Sequence, residues 1–389
     1  MNTATQAGAN LLEKTDGAAK PPAPVILRVA KEFGVGPARQ LREMLSLRFG
    51  PGRLTSQEYY DQGLFDPALT SAEKREFVGV ATSKALNTRL SPPEVVQTGS
   101  FVGHKVLFSA LMRQLGLAVP ETLAVVSRTG SFGNTPMLRD AAGVSAFLSD
   151  ASAYPLFGKP LGGSLSVGSV LLRSFDAETG YLTLGNGKTT SLSDFSAEVT
   201  DKYAGGYLFQ PALTPHEEMS AITGETTGCL RIVTAMTGPV PQTVYGLWKI
   251  PAPQAMSDNF WQAGSMLAHI ETETGTVTGC RSGSGPDIGR PDVSPRTGAR
   301  VTGLTIPHWQ AARELAQQAH AVLPDYGVCG WDIAITPDGP VIVECNDSPF
   351  HTLWQTATGR GVMNAEFAAV WQAVEARQAE RLARIRASK

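Results

Sequence analysis

Residues 331–346 read WDIAITPDGPVIVECN and carry the clearest β-hairpin signal in the sequence. Two short segments rich in apolar residues, 331–336 and 341–344, flank the turn-forming residues PDGP at 337–340. The chain should therefore run out along one strand and return along its neighbour.

Three polar side chains of this hairpin are expected to lie together. Glu344 and Asn346 are two positions apart and share a strand face, and Asp332 can join them from the partner strand. Carboxylate and amide oxygens are ligands that suit Mg²⁺, which binds nucleotide phosphates alongside a few protein ligands. A surface hairpin with ordinary polar residues is the alternative. However, the flanking apolar residues indicate a buried setting, where unpaired carboxylates are costly and a cation is expected nearby.

A second polar cluster begins at Lys159, which follows an apolar segment and precedes the run GGSLSVG at 162–168. A lysine next to a flexible loop rich in backbone N–H groups can hold phosphate oxygens. The signal is weak by itself, because glycine-serine runs are usually surface loops and this one does not match the P-loop pattern.

Composition limits the classes of protein to consider. The chain has 389 residues, long enough for two or three domains, and 42% of them are hydrophobic, as in a globular protein. Its 33 basic and 35 acidic residues give a net charge of −2, which excludes a generally basic nucleic-acid binder. No apolar run is long enough for a bilayer and the first residues lack a signal-peptide layout, so we expect a cytoplasmic protein with no membrane partner.

The four cysteines are widely spaced and fit neither a disulfide framework nor a zinc site, so we expect reduced and mostly buried thiols: Cys229, Cys280, Cys329 and Cys345.

The organisation along the chain changes twice. Residues 1–24 have little apolar periodicity and are expected to form a mobile tail, whereas residues 25–100 show helical spacing and predict a small helical region. Helices and strands then alternate. The pattern predicts helices over 104–115 and 307–323, with Pro307 in the first turn, strands over 122–126, 169–173, 206–210 and 229–236, a polar loop over 279–303, and a final helix capped by Asn364.

The order of these features resembles the ATP-grasp superfamily from about Lys105 to about Trp354. The matching segments are Lys105 with 116–120, 156–160 with Gly163, Ser164 and Gly168, and 344–349. Further segments resemble the α-L-glutamate-ligase-related group, also called sugar-transfer-associated ATP-grasp proteins: 52–60, 230–234, Asp258, Asn259, Gly264, 306–309 and 330–334. The resemblance implies an α+β fold in which two subdomains, 101–213 and 214–389, grip ATP. The helical N-terminal region precedes them in the sequence.

The resemblance also implies roles for individual residues. Those that would bind ATP are Lys105, Lys159, Gly163, Ser164, Gln210, Leu213 and Glu217, the last at the ribose unless it only stabilises a helix start. Arg231, Lys249 and Asn259 would be catalytic, although Lys249 stands where related ligases have an arginine. Asp332, Glu344 and Asn346 would bind one or two Mg²⁺ ions.

Candidates for gripping an acidic substrate are Ser348, His351, Arg281 and Arg296, with Arg290 and Arg300 from the same loop. Exposed arginines are usually only solvated, and His351 could equally be structural.

The activity implied is an ATP- and Mg²⁺-dependent carboxylate–amine ligase with an acyl phosphate intermediate, acting on a small-molecule carboxylate and amine. The alternative is an ATP-grasp phosphotransferase for a sugar or metabolite. A non-enzymatic nucleotide-binding protein ranks last, because Asp332, Glu344 and Asn346 are all present. The sequence does not indicate an oligomeric state.

Overall fold

The computed structural model describes residues 24–162, 166–258 and 262–388. Its strands form two β-sheets. The helices are α1 Val25–Phe33, α2 Pro37–Arg48, α3 Ser56–Asp61, α4 Ser71–Arg75, α5 Val80–Leu90, α6 Gly99–Val102, α7 Lys105–Gln114, α8 Ala141–Leu148, α9 Leu192–Lys202, α10 Glu217–Thr223, α11 Trp309–Ala321, α12 His351–Thr358 and α13 Ala365–Ala387. The strands are β1 Ala124–Val126, β2 Met137–Leu138, β3 Leu156–Pro160, β4 Val170–Asp176, β5 Tyr181–Leu184, β6 Thr189–Ser191, β7 Tyr207–Pro211, β8 Leu230–Ala235, β9 Gln242–Ile250, β10 Met266–Ile270, β11 Val277–Ser282, β12 Val328–Thr336 and β13 Gly339–Asn346. Two 3₁₀ turns lie at Ala151–Ala153 and Gly285–Asp287.

The N-terminal region is helical, as predicted. Thr55 and Thr70 begin α3 and α4 with capping boxes, in which the threonine and a glutamate three residues later satisfy each other's backbone N–H groups. A small apolar core that includes Tyr59, Phe65 and Phe77 holds the first helices together.

The first sheet has the order β2-β1-β7-β3-β4-β5-β6, with β1 and β2 parallel and the other pairs antiparallel. Helices α8 and α9 cover one face, where Val144 and Phe195 pack against strand residues such as Leu156 and Leu172. The opposite face of β3, β4 and β7 is turned to the second sheet.

The second sheet has the order β11-β10-β9-β8-β12-β13 and is antiparallel throughout. Helix α11 packs on one face, against residues such as Ile232 and Trp248. Helices α5, α12 and α13 cover part of the other face, where Val233 and Leu247 are buried. The same face continues to Arg231 and Lys249, because alternate residues of a strand point the same way.

Several predicted elements are confirmed and two are corrected. The hairpin, the helix at 105–114 and the helix capped by Asn364 are present, with the Asn364 side chain accepting the N–H of Phe367. However, α11 begins at Trp309, so Pro307 lies before the helix instead of in its first turn. The predicted loop from 279 starts inside β11, because β11 pairs with β10 as far as Ser282.

All four cysteines are buried free thiols, as expected. Within the described ranges, every helix is too short or too polar to cross a bilayer.

Candidate active site

A cavity of about 640 Å³ lies between the two sheets. This volume is in the range of about 300–1,000 Å³ that is typical of small-molecule sites. Its walls come from β3, β4 and β7 of the first sheet and from β8, β9, β12 and β13 of the second. Successive side chains along 169–173 point to opposite faces of the first sheet. Ser169, Leu171 and Arg173 therefore line the cavity, whereas Val170 and Leu172 belong to the core on the other face.

Two lysines lie on one side of this cavity. Lys105 is the first residue of α7, and its Nζ donates to the carbonyl of Leu161 at 3.3 Å. Lys159 on β3 is buried, and its Nζ lies 3.5 Å from the carbonyl oxygen of Val343. Burial lowers the pKa of Lys159, the charge of Glu344 opposes this, and Lys105 lowers it further.

A β-bulge presents the Val343 carbonyl to Lys159. Asp332 pairs with Glu344 but the next residue, Ile333, pairs with Ile342, so Val343 is the extra residue on its strand. The bulge also puts Ile342 on the core side together with Cys345, whereas Glu344 and Asn346 line the cavity. The prediction that Cys345 belongs to the core is confirmed.

Buried ion pairs join β8, β9 and β12. Arg231 donates to both carboxylate oxygens of Asp332, from Nε at 2.6 Å and from one terminal nitrogen at 3.2 Å. The Nζ of Lys249 lies 3.0 Å from Asp332 Oδ2 and 2.7 Å from Asp258 Oδ2. Burial alone would raise the pKa of Asp332, but the charges of Arg231 and Lys249 outweigh it and hold this pKa well below its usual range.

The pKa of Lys249 shifts in the opposite direction. Burial alone would lower it, but Asp258 and Asp332 raise it above its usual value, so Lys249 stays charged. One terminal nitrogen of Arg231, Nη1, is buried and has no hydrogen-bond partner among the described residues. A buried donor without a partner is costly, and a ligand oxygen in the cavity would satisfy it.

The residues predicted to bind Mg²⁺ fit that role unequally. Glu344 and Asn346 lie on one face of β13, and within the described part of the chain the buried Nδ2 atom of Asn346 has no hydrogen-bond partner. Both oxygens of Asp332 accept hydrogen bonds from the two cations, so an ion would share this carboxylate with Arg231 and Lys249. In the described part of the chain, no group of three His, Cys, Asp or Glu side chains is arranged to hold a metal. An ion here would therefore depend on Glu344, Asn346 and ligand oxygens, as is common for Mg²⁺.

The cavity lining also includes apolar residues and two of the residues predicted to bind ATP. Gln210 and Leu213 both line the cavity, and the Leu213 carbonyl accepts a hydrogen bond from Thr227 at 3.0 Å. Leu171 and Met256 add apolar surface.

Three charged residues of the site were missed by sequence reasoning. Arg173 on β4 and Glu225 before β8 form an ion pair of 2.8 Å between the two sides of the cavity, and Asp258 pairs with Lys249. The alternation along the predicted strand 169–173 was a usable signal for Arg173. Glu225 and Asp258 lie in loops, where no periodicity indicates direction.

Several predicted residues are not part of the cavity lining. Glu217 is exposed at the start of α10, where its carboxylate can stabilise the helix N-terminus, and its role at the ribose stays a prediction. Ser348 is exposed and its hydroxyl accepts a hydrogen bond from Asn87 at 3.2 Å. His351 is fully buried between Tyr245 and Asn87, and burial lowers its pKa to about 3, so it is a structural histidine.

The arginines also lie outside the cavity lining. Arg281 belongs to β11 and packs beneath Gly359 at the end of α12, and Arg296 packs beneath Gly224 and donates to Thr226 at 3.1 Å. Arg290 and Arg300 are exposed. These four arginines are therefore not among the residues that line the cavity, and a role for them in gripping a substrate stays a prediction.

Three further predicted residues, Gly163, Ser164 and Asn259, lie outside the described residues.

Comparisons with known proteins agree with this architecture. A family model described as sugar-transfer associated ATP-grasp matches residues 85–370. None of the curated proteins matches the chain in sequence.

Similar solved structures include three ligases. The D-alanine-D-alanine ligase from Coxiella burnetii is 12% identical with a TM-score of 0.41, over 75% of this chain and 63% of that chain. The VanG D-Ala:D-Ser ligase from Enterococcus faecalis is 13% identical with a TM-score of 0.42, over 71% of this chain and 62% of that one. The ATP-grasp ligase PsnB complexed with a minimal precursor is 16% identical with a TM-score of 0.37, over 73% and 64%. The match thus spans slightly less than two thirds of each of these three chains.

Proposed function

Because the chain belongs to the sugar-transfer associated ATP-grasp family, we propose that it is an ATP- and Mg²⁺-dependent ligase that joins a carboxylate to an amine. The observation that carries this proposal is one cavity that combines buried cations with Glu344 and Asn346. Such a cavity suits a polyphosphate and a carboxylate, because both are anions that need charge neutralisation out of water.

We assign different parts of the cavity lining to different parts of ATP. Lys105 and Lys159 hold the α- and β-phosphates, and the segment from Gln210 to Leu213 meets the adenine. Glu344 and Asn346, with a share of Asp332, hold Mg²⁺, which when bound neutralises charge on the phosphate oxygens. On this assignment, residues 101–213 and 214–389 are the two subdomains that enclose the nucleotide.

The proposed reaction has two steps. A carboxylate oxygen of the substrate attacks the γ-phosphorus and ADP leaves, which gives an acyl phosphate. The nitrogen of an amine then attacks the acyl carbon, phosphate leaves, and the nitrogen loses a proton. Arg231 stabilises the negative charge of the acyl phosphate, since its Nη1 has an N–H to donate.

This chemistry depends on positioning and charge rather than on a nucleophile from the protein. Cys229 lines the cavity, but burial and the charge of Asp258 raise its pKa well above the usual value, so it stays a neutral thiol.

The test is release of ADP and phosphate from Mg-ATP across a matrix of amino acids, sugar acids and amines. The proposed ligase gives equal amounts of ADP and phosphate only when a carboxylate and an amine are both present. Glu344→Ala should abolish this release. Asp338→Ala is the matched control, because Asp338 lies on the same hairpin but in its exposed turn.

ADP release without free phosphate would contradict the ligase and support a phosphotransferase. Failure of the unmodified chain to bind Mg-ATP would contradict both.

A further inference from the structure

Asn87 of α5 is a buried side chain that joins the N-terminal helical region to a loop of the cavity wall. Its Nδ2 donates to the carbonyl of Pro349 at 2.9 Å and to the hydroxyl of Ser348 at 3.2 Å. These residues belong to the segment that links Asn346, the last residue of β13, to Phe350, which precedes α12. Asn346 and Phe350 both line the cavity, so Asn87 holds the middle of a loop whose two ends form part of the wall.

The hydrogen-bond partners fix how Asn87 is oriented. Because a carbonyl can only accept, the atom facing Pro349 must be the amide nitrogen, and the amide oxygen is left to accept from Nε2 of His351 at 2.9 Å. Nδ1 of His351 then accepts from the hydroxyl of Tyr245 on β9 at 2.8 Å. The chain of hydrogen bonds therefore ties α5, the loop, α12 and the second sheet together.

The loop also packs closely against the catalytic side. A Cβ atom added at Gly330 would lie 2.8 Å from Cβ of Pro349, 3.3 Å from Cδ of Arg231 and 3.6 Å from Cβ of Asn346. Pro349, Arg231 and Asn346 thus meet around one glycine. A shift of the loop by about 1 Å would disturb Arg231 and Asn346, whose Nη1 and Nδ2 atoms have no hydrogen-bond partner in the ranges that the structure describes.

We propose that Asn87 is a positioning residue, which holds the loop 347–350 so that Arg231, Asn346 and Phe350 form the wall that receives the acceptor substrate. The identity of the ligand as the acceptor substrate rests on the proposed function. The role of Asn87 in holding the loop can be tested independently of it. The hydrogen bonds of the Asn87 side chain go to Ser348, Pro349 and His351, whereas the proposed function assigns the nucleotide phosphates to Lys105 and Lys159.

The experiment uses the full chain with Asn87→Ala and Asn87→Asp. The aspartate variant keeps an oxygen that accepts from His351 and replaces the amide nitrogen that donates to the loop with a second carboxylate oxygen, so it provides a second test if the alanine variant does not fold. Gln40→Ala is the matched control, because Gln40 is also a buried amide of the N-terminal region, donates to two carbonyls at 2.9 and 2.6 Å, and lies outside the cavity lining.

Two measurements are made on each variant. Hydrogen exchange over residues 346–353 should be at least tenfold faster in the Asn87 variants and unchanged in Gln40→Ala. Affinity for AMP-PNP measured without Mg²⁺ should stay within twofold of the parent, because the residues assigned to the phosphates do not belong to the loop. For the carboxylate and amine found in the substrate matrix, KM should rise at least tenfold.

Unchanged exchange over residues 346–353 would overturn the proposal, as would equal loosening of the loop by Gln40→Ala. A loss of Mg²⁺-free AMP-PNP affinity as large as the rise in KM would also overturn it, since Asn87 would then support the whole site. If the parent chain does not bind the nucleotide at all, the proposed ligase fails, whereas the exchange measurement still decides whether Asn87 holds the loop.

Discussion

At the scale of single residues, Glu344 and Asp332 face each other across the hairpin but have different surroundings. Arg231 and Lys249 donate hydrogen bonds to the carboxylate oxygens of Asp332, whereas no described residue makes a hydrogen bond or ion pair with the Glu344 carboxylate. Glu344 is therefore the carboxylate available to a bound cation. We expect Glu344→Gln to slow ADP formation by at least about 100-fold with little change in the free energy of unfolding. Steady-state kinetics and urea unfolding check the two parts.

The same change at Asp332 should behave differently. Asp332→Asn leaves the buried charges of Arg231 and Lys249 without their shared partner, and breaking a buried ion pair costs about 3–5 kcal/mol. We expect a clearly lower urea midpoint for Asp332→Asn than for Glu344→Gln. Equal midpoints would contradict the structural role of this ion pair.

The surroundings of His351 predict a pH dependence of stability. Burial, and to a smaller degree the charge of Arg231, lowers its pKa from 6.5 to about 3 in the folded chain. The unfolded chain therefore binds a proton in the window from about pH 6.5 down to about pH 3, and the folded chain does not. Folding stability from this group is fully present above pH 6.5 and is lost as the pH falls, by at most about 5 kcal/mol.

The check is urea unfolding of the parent and of His351→Gln between pH 4 and pH 7. The variant should be less stable at pH 7, because its amide cannot reproduce both hydrogen bonds, but its stability should fall less towards pH 4. Parallel curves for the two proteins would contradict a neutral buried His351.

At the scale of secondary-structure elements, the hairpin of β12 and β13 depends on a close approach at Gly330. Gly330→Ala would bring a methyl group to 2.8 Å from Cβ of Pro349, so the loop or the strand must move. We expect a loss of about 1–3 kcal/mol in the free energy of unfolding. Gly339→Ala tests a different cause on the same hairpin, because Gly339 has open space around it but a φ of +123°, which disfavours alanine.

The hairpin also shows how far sequence reasoning reached. Apolar residues on both sides of PDGP predicted both strands, and alternation correctly brought Asp332, Glu344 and Asn346 to one cavity. The resemblance to ATP-grasp proteins and the α+β fold are confirmed. The bulge at Val343 was not predictable, because it depends on pairing between strands and not on the pattern within one strand.

Side chains outside regular elements were predicted less well. Lys159 and Arg231 lie on strands, where the period of two fixes their direction, and both line the cavity. Ser348 and Arg296 lie in loops, where residue type suggested a substrate contact but the direction of the backbone was unknown. For His351 the sequence left both a substrate contact and a structural role open. Only the structure shows that Tyr245 and Asn87 enclose it.

At the scale of the whole molecule, the net charge of −2 conceals a local excess of cations. Among described residues, five basic side chains line the cavity: Lys105, Lys159, Arg173, Arg231 and Lys249. Four acidic ones accompany them: Glu225, Asp258, Asp332 and Glu344. A polyanion with its Mg²⁺ fits this distribution, because the ion meets Glu344 while the phosphates meet the lysines.

The two sheets supply opposite walls of the cavity, and Arg173 and Glu225 form an ion pair of 2.8 Å between these walls. A nucleotide between the walls should therefore add contacts that hold the two sheets together, and bound ligand should raise the melting temperature of the whole chain. At 100 times the dissociation constant, a ligand specific for the folded state adds about 2.7 kcal/mol. With an unfolding entropy of about 2.1 cal/mol/K per residue, this corresponds to a rise of about 3 °C for the chain. Calorimetry with Mg·AMP-PNP measures this rise.

Lys159→Gln should reduce the rise in melting temperature more than Arg173→Gln does, because Lys159 is buried beside Glu344, whereas Arg173 already has a protein partner. A rise that survives Lys159→Gln but disappears in Arg173→Gln would mean that the phosphates lie at the opposite end of the cavity from the one assigned to them.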